Sequence, residues 1–184
     1  MKLEKLLSEK RSDILKKWLQ MILETYPGDA QRFLKEQKDP FANPVRYAFQ
    51  KEMEQVFHEL MGSIDPERAV PFLDKIICIR AVQDFTASQA VSFVFFLKRA
   101  IRELLEEEIR EKGLMDDLSV VEARIDELAL LSFDIYMRRK EKLYQLRANE
   151  AKTRVSGLLK RAGLVCEIPE WQPDAKEDNL PKDS

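Results

Sequence analysis

Glycine is scarce in this chain, with 5 in 184 residues, while charged residues make up 35%. A turn-rich β fold draws on glycine for its tight turns, so this balance favours helices. Cysteine is nearly absent. Cys78 and Cys166 form no CxxC and no metal-ligand spacing, which excludes a disulfide scaffold and suits a reducing cytoplasm. Cys78 lies inside the apolar run KIICIR and is expected to be a buried structural thiol. Histidine occurs once. His58 begins FHELMG, which falls short of the zinc-protease pattern HExxH because Gly62 stands where the second histidine belongs. One histidine and two scattered cysteines leave closed zinc sites and helical-bundle di-iron sites without ligands, so no metal and no cofactor is expected. A haem held by His58 stays open as an alternative.

Catalytic patterns are missing too. There is no GxSxG, no glycine-rich phosphate loop and no assembled acid, base and nucleophile set, so an enzyme is not expected. The carboxylates at Glu106, Glu107, Glu108, Asp116 and Asp117 read as a solvated helix face. The net charge of -2 gives no global pull toward nucleic acid or anionic membrane. The amino terminus, MKLEKLLSEKRSDILKKW, has charges where a signal peptide needs an apolar core. The longest apolar run, AVSFVFFL at 90–97, falls well short of the roughly 20 residues that span a bilayer. The expectation is a soluble cytoplasmic protein.

What is present is helical periodicity. Ile14, Leu15, Trp18, Leu19 and Ile22 mark an amphipathic helix over 3–25, broken near Ser12, that Pro27-Gly28 ends. A short helix over 29–37 follows. In DPFANPVRYAF, residues 39–49, Asn43 suits an N-cap and Pro44 the first helical position. Phe41 is expected to anchor this loop in the core, and Arg46 to face a ligand or form a salt bridge. Val45, Phe49, Met53, Val56 and Leu60 form one face behind it, and Gly62 is expected as the C-terminal cap. A helix from Asp65-Pro66 to about Gln83 is expected to bend near Pro71. TASQ at 86–89 is a capping box for a central helix that is apolar nearly all round from 90 to 97 and solvated from 102. Gly113 ends it.

The last helix is expected over about 117–162, with SVVE at 119–122 as its capping box. Its length of about 66 Å exceeds the about 40 Å breadth of a globule of this size. It is therefore expected to cover its apolar face on a second copy, through Leu118, Val121, Ile125, Leu128, Ile135, Leu143 and Leu146. A ligand is expected, if anywhere, beside the central helix near Phe93, Phe96 and Lys98, with Arg46 as a further candidate. The domain reading is a single helical domain over 1–163 and a disordered acidic tail over 164–184. Residues 138–161 hold nine Lys and Arg against Glu141 and Glu150, whereas residues 102–127 hold ten acids against four bases. The basic half suits either an acidic segment of a partner copy or nucleic acid. Leu143, Tyr144 and Leu146 favour the protein contact.

DPFANPVRYAF, then SQAVSFVFFLKRAIRE, then RIDELALLSFDIYMRRKEKLYQLRANEAKTRV together resemble the amino-terminal domain of the RsbR/RsbRD-type stress regulators, over roughly residues 10–155. The resemblance implies a dimeric, non-haem globin-like all-α fold, a long C-terminal helix, and a sensory role signalled through a regulatory protein partner. Members that act in stressosomes carry a STAS-type domain after the long helix. Here an acidic segment follows, so a stand-alone version is expected and no phosphosite is carried to Thr153.

Overall fold

The computed structural model describes residues 2–83 and 85–164. Among these residues every regular element is helical: α1 Lys2–Glu9, α2 Arg11–Leu23, α3 Gly28–Glu36, α4 Pro44–Leu60, α5 Pro66–Val82, α6 Ala87–Glu111 and α7 Met115–Arg161. The all-α reading holds. The chain divides into two units, Met1–Leu143 and Tyr144–Ser184, and α7 runs through that boundary. Burial explains where the boundary falls. Tyr136 is the last buried side chain of α7, Leu143 is half-buried, and Tyr144, Leu146, Val155 and Leu158 are exposed.

The helix starts follow local chemistry. The Asn43 side chain accepts from the Arg46 N–H at 3.0 Å, and Pro44 opens α4 where a missing N–H is harmless. Asp65 caps α5 by accepting from Glu67 N–H at 3.0 Å, again with proline behind it. At α6 the capping box is complete: Gln89 N–H donates to Thr86 Oγ1 at 3.3 Å, and Thr86 N–H donates to Gln89 Oε1 at 3.0 Å. α5 continues through Pro71.

Two expected caps differ. Gly62 does not adopt a left-handed conformation, and α4 ends at Met61 in ordinary right-handed geometry. Ser119 is not a cap either, because its hydroxyl donates to Met115 O inside a helix already under way. The reason lies just upstream. Gly113 at φ 64° lets its own N–H reach Arg110 O and the Leu114 N–H reach Ile109 O, which closes α6 and frees the chain to restart at Met115. Asp116 and Asp117 then sit in the first turn of α7, where negative charge suits the helix dipole.

Within residues 2–143, α2 packs on α6 and α4 packs on α5. Trp18 and Phe93 stack with parallel rings, and the Trp18 indole N–H donates to Phe93 O at 2.6 Å. Burial of each such side chain is worth about 1.5–3 kcal/mol, so this pair fixes where α2 meets α6. α6 and α7 run antiparallel, since Lys98 pairs with Asp126 at 2.7 Å and Arg102 with Glu122 at 2.5 Å. Arg139 of α7 pairs with Asp74 of α5, and Arg124 reaches both Glu4 and Leu60 O at 3.2 Å. The acidic stretch after residue 102 is solvated on one face only, because Leu105 and Ile109 turn inward.

Candidate functional site

The residues expected to meet a ligand on α6 are spent on the fold. Phe93 is fully buried against Trp18, Lys98 is held by Asp126, and half-buried Phe96 lies under the Arg99 guanidinium at 6.0 Å from its ring centroid. Arg46 stands elsewhere, in the first turn of α4, so the structure does not bring the four together in one cavity. Arg46 also takes a different partner from the acid expected. Its Nη1 donates to Leu34 O at 2.8 Å.

That bond belongs to a small scaffold around the loop 37–43. Buried Asn43 donates from its amide to Gln37 O at 2.9 Å and Leu34 O at 3.4 Å, while its N–H reaches Asp39 O at 2.9 Å. Asp39 Oδ1 in turn accepts from Phe41 N–H at 3.1 Å. The loop is thus held by its asparagine, and Phe41 does not anchor it: that side chain is 95% exposed. An amide that satisfies two carbonyls and caps a helix makes an apolar anchor unnecessary.

Arg46 lines a concavity of about 800 Å³ walled by α1, α2, α4 and the end of α3. Its floor is apolar, with Leu19, Leu23 and Met53 buried and Leu15 half-buried. Arg11, Lys16, Lys35, Lys38 and Arg46 face two carboxylates, Glu9 and Glu54, around its rim. Arg11 reaches Glu54 at 3.7 Å and Lys35 reaches Glu24 at 3.3 Å. Lys16 and Lys38 have no partner among the described residues.

Arg80 is the other unusual cation. It is fully buried on α5, donates from Nη2 to Gln89 O at 2.8 Å and Thr25 Oγ1 at 3.3 Å, and lies 4.4 Å from the Phe85 ring centroid. Its Nε and Nη1 are buried with no partner among the described residues. Burial pushes its guanidinium below the usual value, against a smaller opposing pull from Tyr26, and burial raises the Tyr26 phenol. Periodicity gave no signal for this residue, because an arginine at a core position of a helix reads as a surface residue.

On α7 the expected contact face is turned round. Leu118, Val121, Ile125, Leu128 and Ile135 all face this chain's own core. The residues left outside are Val120, Leu130, Phe133 and Met137, with Leu130 70% exposed. The α6–α7 register places Phe95, also exposed, level with the turn that carries Leu130. Leu143 is half-buried and Leu146 exposed. Sequence reasoning marked the apolar face of α7 but assigned it outward. Telling the two faces apart needed the antiparallel partner α6, which periodicity alone does not supply.

Residues 12–151 match the RsbT co-antagonist protein rsbRD N-terminal domain, which is most of the chain. The chain belongs to the rsbRD N-terminal domain family. No curated protein and no solved structure gives a significant match.

The rsbRD N-terminal domain family is a regulatory family, and a globin-like arrangement, which the resemblance implies, is consistent with it. Within that fold the His58 side chain is 77% exposed on α4, its Nδ1 3.8 Å from Glu59 Oε1, and it lines an open concavity of about 320 Å³ with Met61, Gly62 and Arg68. Among the described residues no group of three or more His, Cys, Asp or Glu side chains could hold a metal ion, and no helix is long and apolar enough to cross a membrane. Cys78 is a half-buried free thiol. Cys166 and the expected tail over 165–184 lie outside the described residues.

Proposed function

We propose that this chain is the sensory module of a bacterial stress-response regulator, that it signals by contact with a regulatory protein partner in the cytoplasm, and that it works as a homodimer. The family match supports the regulatory part of this reading. The dimer rests on one observation: α7 carries two apolar faces, and only one is used within the chain. Leu130, Phe133 and Met137 lie within about two turns of the outward face, level with exposed Phe95 of α6, and Val120 is exposed nearly three turns earlier. A contiguous apolar surface of this kind on a chain rich in charge marks an interface. Ala123, Leu130 and Met137 recur every seven residues, and the same interval continues in the sequence through Tyr144, Ala151 and Leu158. A seven-residue apolar repeat is the spacing at which helices of two copies pack side by side.

Glu127, Asp134 and Glu141 interrupt the alternate positions of that repeat. They temper the association, as polar residues at such positions do, and suit a contact that is rearranged during signalling. Native mass spectrometry of the full chain tests the reading. Dimers are expected across the micromolar range, and monomers throughout that range would overturn it.

A further inference from the structure

The concavity at Arg46 has a chemistry of its own. Its volume of about 800 Å³ falls within the about 300–1,000 Å³ of small-molecule sites. One wall is the face of α2 from Arg11 to Leu23, a helical length of about 18 Å. Along that length the floor is Leu15, Leu19 and Leu23, met from α4 by Met53. An elongated apolar floor calls for an elongated apolar body.

Cations outnumber carboxylates around the rim by five to two. Arg46, Lys38 and Lys35 come from three neighbouring segments that are tied together at the Leu34 carbonyl, which accepts from both Arg46 Nη1 and the Asn43 amide. Arg46 is held in place by that bond and by the half-buried setting of its stem, yet its other N–H groups have no partner among the described residues. A pre-positioned guanidinium with free donors, next to an unpaired lysine, is suited to a planar carboxylate. The two carboxylates on the rim do not cancel this field, because Arg11 offsets Glu54 and Lys16, Lys38 and Arg46 outnumber Glu9.

We infer that this concavity binds a small organic acid with an alkyl or aryl body, its acid group on Arg46 and Lys38 and its body along Leu15, Leu19, Leu23 and Met53. This deepens the sensory reading by naming the chemical class of the signal, and it stands apart from the dimer, since none of these residues lies on α7. Occupancy would clamp α2, α4 and the loop 37–43 against one another, because the ligand touches all three. Lys38 and Phe41 share that loop, so binding at the rim reaches the most exposed aromatic side chain in the described chain.

The test uses 8-anilinonaphthalene-1-sulfonate, an anion with an aryl body, added to the full chain while its fluorescence is followed. Saturable binding at one site per subunit is expected, with displacement by dodecanoate and none by dodecyltrimethylammonium, which has the same tail and opposite charge. The double variant Lys38→Glu, Arg46→Gln should weaken both anions by about tenfold or more, while Arg147→Glu, on the other unit, leaves them unchanged. Near-ultraviolet circular dichroism on each variant shows whether tertiary packing is kept, since a loosened core takes up the same dye. If the double variant loses packing, Lys38→Glu alone, on the exposed loop, replaces it, and a weakening of both anions is again expected. The inference fails if the dye or dodecanoate does not bind at millimolar concentration, if the charge variants bind as the wild type does, or if only an acidic peptide displaces the dye. Native mass on the same samples separates the two readings: a dimer that binds no acid sinks this inference alone, and a monomer that binds it sinks only the dimer.

Discussion

The inward and outward faces of α7 carry similar side chains and do different work. Leu128 and Leu130 are two residues apart, yet the first is fully buried and the second is 70% exposed. α6, its antiparallel neighbour, shows what full use looks like: of the run 90–97, Ala90, Val91, Phe93, Val94 and Leu97 are buried. An apolar side chain that its own domain covers stabilises the fold. One that it leaves out contributes nothing to folding until another surface arrives. Position within a turn, rather than residue type, decides which role a leucine has.

That contrast can be broken from its strongest side first. Phe93→Ala removes the ring stacked on Trp18, and a loss of about 3–5 kcal/mol in urea unfolding is expected. Leu128→Ala should cost about 2–5 kcal/mol in the same measurement. Arg80→Met sharpens the comparison from the opposite direction, since it replaces an inward charge with two donors that find no partner among the described residues. Swaps of this kind are neutral or stabilising by about 1–4 kcal/mol, and calorimetry should show an unchanged or higher melting temperature. A large loss would mean that its bonds to Gln89 O and Thr25 Oγ1 and its contact with the Phe85 ring outweigh the burial of the charge. Asn43→Ala removes a buried cap and should cost about 0.5–2 kcal/mol in thermal unfolding, with Arg46 freed from its place. Leu130→Ala comes last, expected within about 0.5 kcal/mol in the dissociated chain.

Much of the architecture was legible in the sequence because it is written in local signals. Asn43-Pro44, Asp65-Pro66 and Thr86 with Gln89 each start a helix where their chemistry requires it. Gly113 ends α6 because it alone there can take a positive φ without strain. The functional geometry was less legible, for reasons of long-range packing. Phe93 and Lys98 stand on the same promising helix, but α2 and α7 consume them. Lys35, Lys38 and Arg46 are drawn together by hydrogen bonds to Leu34 O and Gln37 O, which no periodicity reveals. Buried Arg80 was invisible for the same reason, because its surroundings come from the turn after α2, from α6 and from the turn before α6.

Sedimentation equilibrium of the full chain beside Leu130→Glu tests most directly whether the outer row of α7 is covered by a second copy. The wild type should behave as a dimer, and the variant should raise the dissociation constant by about tenfold or more while its unfolding in urea stays cooperative. A variant that associates as tightly as the wild type would contradict the assignment of that face.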